Sequence, residues 1–396
     1  MIKAFLKKNW FIFLFVLILI YPLYGGLTDS RITLKGVAKE QEAVPLTPAS
    51  LGDGSWQSSV NAVFEESFPG RSLLIRLRNQ MLYTMGISPN TNVVIGRSGC
   101  LFEPADILFD QAYYPPCDEI YFDTLGQNLE KLNALLASHN KELYVFITPY
   151  KPRYFRDWFP DRLKPLDNRY YYGTSNYDRL VKELDDHGIL YYDSIPMIDR
   201  GLEDGVLASG VPAPSAPVFC MTGKHWTQPW AACAAGELLE FIRAHSHFDL
   251  GSIQNREIPQ AEPVYPDADL YDTLNLISRP EGPWYDAETS LSKEGADHPG
   301  FFARGGSFMG QSVNRLILSG VFGTAAHFEN MGLHTDRYFN SVYMSDFYAY
   351  DELDLKPWLS EADILLLEIN EGTIDRMSWG FIEYLLEHPE YLKKET

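Results

Sequence analysis

Two short stretches carry residue types that do acyl chemistry. In Thr222-Gly223-Lys224-His225-Trp226-Thr227 a histidine stands just ahead of a helix-like segment that begins at Gln228-Pro229-Trp230. The positive end of a helix dipole disfavours imidazolium, so a ring placed there stays neutral and can accept a proton. In Gly305-Gly306-Ser307-Phe308 a serine follows the apolar run Phe301-Phe302-Ala303 and opens a stretch with helical spacing at Val313, Leu316, Ile317 and Val321. A serine on a strand-to-helix turn is well placed as a nucleophile, because glycines let the backbone bend and nearby N–H groups can form an oxyanion hole. His225 is thus a candidate base, Ser307 a candidate nucleophile and Gly306 a candidate oxyanion or orienting position. The plainer alternatives are a histidine packed beside Trp226 and a serine serving as a helix N-cap.

The elements that would hold these residues alternate in type. Helical spacing over Leu125–His139 leads into the apolar run Leu143–Thr148, which opens on Pro149-Tyr150-Lys151; a helix over Asn176–His187 precedes a strand over Ile189–Asp193. A helix over Trp230–His245, a strand over Asp363–Ile369 ending in Asn370-Glu371-Gly372, and a helix over Ser378–Leu386 complete the series. Such alternation predicts a three-layer α/β/α domain with a mainly parallel sheet over 51–396, whose ligands collect at the C-terminal strand ends. Tyr150, Lys151 and Trp226 are therefore candidate substrate-binding residues, and Asn370 a candidate hydrogen-bond donor. Residues 253–299 are rich in Pro, Asp and Glu with little periodicity and read as an insertion or lid. Trp56–Met85 reads as largely helical, broken at Pro69-Gly70, with Arg71, Arg76 and Arg78 on its most basic face.

The net charge of −20 is spread along the chain, which disfavours nucleic acid and favours a neutral or weakly charged partner. Lys3, Lys7 and Lys8 precede an apolar run from Trp10 to Tyr21. Extended to Leu27, that run approaches the roughly 17–25 residues a membrane span needs. The expectation is an uncleaved anchor over 1–27 with its N-terminus cytoplasmic, a tether over 28–50, and an extracytoplasmic domain beyond. The four cysteines allow two disulfides, Cys100 with Cys117 and Cys220 with Cys233 being nearest in sequence, or four free thiols. No ligand spacing calls for a metal, and no motif calls for a cofactor.

In their order, these residues resemble the exopolysaccharide O-acetyltransferases of the alginate AlgX and AlgJ type, which are SGNH-hydrolase-like. The resemblance runs through Phe68-Pro69-Gly70-Arg71, Val94-Ile95-Gly96-Arg97-Ser98-Gly99 with Leu101-Phe102, Ile147-Thr148-Pro149-Tyr150-Lys151, His225-Trp226-Thr227 and Gly306-Ser307-Phe308. It implies an acetyl-Ser307 intermediate formed with His225 as base, a polysaccharide acceptor, and a separate membrane-bound O-acyltransferase as donor partner. The family usually places an aspartate two residues before the histidine and another just before the serine; here those positions are Gly223 and Gly306. Asp193 and Glu368 are the candidate replacements for the orienting acid. The same fold also fits an acetyl esterase with water as acceptor, or, with its site decayed through Gly223 and Gly306, an inactive glycan-binding scaffold.

Overall fold

The computed structural model describes residues 9–12, 15–16, 20, 34–35, 44–67, 71–113, 115–306, 308, 311–312, 315–316, 321, 327–330, 355–375 and 380–394. Half of the apolar run over 10–21, the 68–70 break and Ser307 lie outside this set. No helix among the described residues is long and apolar enough to cross a membrane. The chain divides into two compact units, residues 1–95 with 270–280, and residues 96–269 with 281–396.

In the first unit, helices α1 (Ser55–Ser67) and α2 (Arg71–Thr84) flank the predicted break. The 270–280 segment is tied to α2 by Asn79 Nδ2, which donates to Leu274 O at 2.8 Å. Lys35 donates its backbone N–H to Asn275 at 2.8 Å, so part of the expected tether is ordered against this unit.

The second unit is built on five parallel strands. In chain order the unit runs through α3 (Pro104–Asp110), α4 (Glu119–Ser138), β1 (Glu142–Thr148), α5 (Asn176–Asp186), β2 (Tyr191–Asp193), α6 (Ser194–Asp204) and α7 (Gln228–His245). It continues with β3 (Ser252–Gln260), β4 (Trp284–Lys293), β5 (Phe301–Gly305), β6 (His327–Asn330), β7 (Ile364–Asn370) and α8 (Gly380–Glu387). The sheet order is β2-β1-β7-β5-β6, and each neighbouring pair is parallel. Strand β6 falls outside the expected alternation.

Strand side chains alternate between two cores, as a sheet covered on both faces requires. Tyr144 and Phe146 of β1, with Ile364 and Leu366 of β7, pack with α6, α7 and Trp226. Leu143, Val145 and Ile147, with Leu365, Leu367 and Ile369, pack with α4, α5 and α8. This is the three-layer α/β/α arrangement the alternation predicts. Within the helix expected after Ser307, the described residues Phe308, Gln311, Ser312, Arg315 and Leu316 are helical.

The 253–299 stretch, expected to be an insertion or lid with little periodicity, holds the antiparallel ribbon β3–β4, with Gln254 opposite Ser290 and Ile258 opposite Asp286. Asn255 Nδ2 donates to Ala232 O of α7 at 2.6 Å, fixing the ribbon to the helix that follows His225. The polar composition hid the strands because only a few residues of this ribbon are buried. All four cysteines are free thiols, so the disulfide alternative is set aside.

Candidate active site

His225 lies on the short approach to α7, with its ring 3 % exposed. Thr227, the N-cap residue, donates its N–H to Val218 O and its hydroxyl to Pro217 O, both at 2.8 Å. These bonds fix the chain just past the histidine. His225 Nδ1 is 2.7 Å from Asp269 Oδ2, and the other oxygen of Asp269 accepts the backbone N–H of Lys224 at 2.8 Å. A carboxylate accepts only, so Nδ1 carries the hydrogen and Nε2 is the basic nitrogen of the neutral ring. Asp269 is thus placed to orient the ring; it comes from the stretch between β3 and β4, 44 residues after the histidine.

Gly223 is the condition for this arrangement. A Cβ there would lie 2.5 Å from Asp267 O and 2.9 Å from Pro266 O, so the backbone that delivers Asp269 occupies the place of a side chain at 223. Asp193 and Glu368, the replacements considered from the sequence, do other work. Asp193 caps α6 through Ile195 N and accepts the Tyr177 hydroxyl.

Glu368 sits at the end of β7, where its two oxygens accept from the Thr148 hydroxyl and the Gly306 N–H. The Gly306 donor is therefore spent on a carboxylate, which corrects its reading as an oxyanion donor. A Cβ at 306 would lie 3.3 Å from Glu368 Oε2, so a side chain there would begin in tight contact with the strand-end carboxylate. Asn370 is likewise committed: it donates to Thr148 Oγ1 at 3.0 Å and Pro149 O at 2.9 Å, and accepts Gly372 N at 3.0 Å. It locks the ends of β1 and β7 together.

Ser307 itself is outside the described residues; Phe308, which follows it, is held against the histidine loop, while Gly306, which precedes it, is bonded to Glu368. The Phe308 ring lies 4.7 Å from the His225 ring, centroid to centroid. The Trp226 indole N–H donates to Phe308 O at 3.2 Å, and Gln311 and Ser312 donate to Trp226 O and Ala231 O. The two motifs, 82 residues apart in sequence, are thus sewn to each other by Trp226.

The substrate-facing roles expected of Trp226 and Lys151 are corrected. Trp226 is fully buried in the core under the sheet and cannot stack on a sugar. Lys151, 2 % exposed, donates to the carbonyls of Leu101, Cys220, Met221 and Gly223 at 2.7–3.1 Å. Burial lowers its pKa, yet the converging carbonyl dipoles give the ammonium its partners, and the result is a cationic peg under the histidine loop. Lys224 pairs with Glu103 at 2.7 Å beside Asp106, which joins the loop to α3. Tyr150 is mostly buried, donates its hydroxyl to Asp110 at 2.7 Å, and lines a cavity at the strand ends.

His225 with its carboxylate partner packs against Phe308, the residue after Ser307, and these residue types suit acyl transfer. The SGNH hydrolase-like domain of the acetyltransferase AlgX matches residues 93–316, more than half of the chain, and that stretch contains His225, Asp269 and Ser307. No curated protein sequence matches the chain. Among solved structures it is similar to the O-acetyltransferase domain of Pseudomonas putida AlgJ, at 17 % identity over 75 % of this chain and 99 % of that one, with a TM-score of 0.45. Pseudomonas aeruginosa AlgX gives 15 % identity over 74 % and 67 % of the two chains, with a TM-score of 0.44. Bacillus cereus PatB1 gives 9 % identity over 65 % and 91 %, with a TM-score of 0.40. On the match over 93–316, the chain belongs to the SGNH hydrolase-like AlgX acetyltransferase family.

Proposed function

We propose that this acetyltransferase moves an acetyl group onto a hydroxyl of a cell-surface or secreted polysaccharide, outside the membrane, through an acetyl-Ser307 intermediate. The observation that carries the reading is the 2.7 Å contact between His225 Nδ1 and Asp269, which makes Nε2 the base. His225 Nε2 takes the Ser307 hydroxyl proton as the oxygen attacks the acyl carbonyl, and the same proton passes to the departing donor oxygen as the acyl–donor bond breaks. In the second half a sugar hydroxyl attacks the serine ester, its proton moves to Nε2, and the serine oxygen leaves and takes that proton back. The carboxylate at His225 Nδ1 supports the active reading over a decayed site. The N-terminal apolar run supports an anchored, extracytoplasmic location, and the donor would be presented by a membrane-bound O-acyltransferase.

Turnover of an activated acetyl ester by the full chain, with and without an oligosaccharide, tests this. The parent should release acyl groups faster with sugar present and form acetylated sugar, and Ser307→Ala and His225→Ala should do neither. Serine-independent release would overturn the mechanism; serine-dependent release that ignores every sugar would make the chain an esterase.

A further inference from the structure

A cavity of about 290 Å³ opens where β1 and β7 end, at the lower bound of small-ligand clefts. Phe109, Tyr150, Tyr172 and Tyr177 contribute aromatic surface, and Arg153, Arg156 and Arg169 contribute planar donors. Its place is set by the same strand ends that hold the serine turn. Glu368 accepts the Gly306 N–H, and Glu371, three residues further along β7 and its turn, lines the cavity. Three residues of extended chain reach at most about 10–11 Å, so the cavity lies near the strand end that holds Gly306. Helix α3 makes a second link: Glu103 just before it pairs with Lys224, and Asp110 at its end lines the cavity.

The charges of the lining are spoken for. Arg153 is paired side-on with both oxygens of Glu371 at 2.9 Å, and Arg156 with both oxygens of Asp110 at 2.9–3.0 Å. Arg169 pairs with Asp167 at 2.9 Å, and Asp178 and Asp375 add negative charge to the rim. A uronate or phosphate group entering here would compete with three carboxylates already in place and meet two more. A neutral sugar meets aromatic faces for its apolar side and neighbouring donors and acceptors for its hydroxyl pairs. The net charge of the chain, −20, points the same way.

We propose that this cavity is the acceptor subsite and that the glycan it takes is uncharged, an inference that rests on the acetyl-transfer reading for its role but not for its binding. Binding of three probes to full-length Ser307→Ala, measured by calorimetry, decides it: a neutral hexo-oligosaccharide, an oligouronate of the same length, and a glucosamine oligomer bearing free amines. The neutral oligosaccharide should bind and the oligouronate should not. Tyr172→Ala, with a thermal melt to confirm folding, should weaken the neutral probe about tenfold, whereas Leu202→Ala, exposed and outside the lining, should leave its affinity unchanged. Preference for the oligouronate or for the amine-bearing oligomer, or neutral binding indifferent to Tyr172, overturns the proposal. Loss of acyl release in the parent with neutral binding intact would overturn the catalytic reading and leave the subsite standing.

Discussion

Gly223 and Asp267 meet backbone to backbone, so closely that a Cβ on the glycine would fall 2.5 Å from the aspartate carbonyl oxygen. Real Cβ atoms do not approach backbone oxygen at that distance, and a peptide group cannot swing aside as a flexible side chain can. Gly223→Asp, which puts an acid two residues before the histidine, should therefore lower stability by roughly 1–3 kcal/mol, the scale of overpacking a filled site, and reduce activity rather than raise it. Denaturant unfolding of parent and variant checks the first part. An active and equally stable Gly223→Asp would show that the 266–267 backbone is free to move.

Asp269 acts through His225, so its loss should appear in turnover more than in affinity. Asp269→Asn keeps the shape but can donate to Nδ1, favouring the wrong tautomer, and should lower kcat by about 10²–10⁴-fold with KM little changed. Asp269→Glu should recover part of that loss if carboxylate chemistry is what matters. Equal kcat in Asp269→Asn and parent across the pH profile would remove Asp269 from the mechanism.

The sequence disclosed the helix–strand alternation, the three layers and both motif loops, because each rests on local periodicity or a glycine turn. It did not disclose Asp269. The chain has 53 acidic residues, and nothing in the spacing of Pro266-Asp267-Ala268-Asp269 distinguishes one that turns back to a histidine 44 positions earlier. Gly223 was the available signal: a glycine where a side chain is expected marks a place another backbone approaches, although not which backbone. Lys151 and Trp226 misled for a related reason. A lysine at a strand end and a tryptophan beside a histidine look the same in sequence whether they face a ligand or the core, and only the converging carbonyls and the sheet packing separate the two.

Lys151 gives a test of the histidine loop's support. Its ammonium has three hydrogens shared among four carbonyls, so removing it strands several buried acceptors at once. Lys151→Met keeps the stem and deletes the charge, and should destabilise the chain by about 3–5 kcal/mol. Hydrogen exchange at 220–227 should rise more than exchange in α4. Unchanged stability would mean that water replaces the ammonium without cost.

Asp267 predicts a pH dependence that can be isolated in one substitution. Burial pushes its carboxyl up to about 7, with the nearby carboxylates of Asp286 and Asp269 adding to the shift. The folded protein therefore holds this proton more firmly than the unfolded chain, whose carboxyl titrates near its ordinary 3.8. The stabilisation is complete below that value, declines as pH rises toward 7, and is gone above it. Asp267→Asn has no charge to bury, so it should match the parent's stability near pH 4 and exceed it by about 1–3 kcal/mol at pH 8, less than the ceiling of about 1.4 kcal/mol per pH unit allows. Urea unfolding of both proteins at pH 4, 6 and 8 reads the difference directly. A gap that is constant with pH would place the effect in packing against Gly223 and not in the charge.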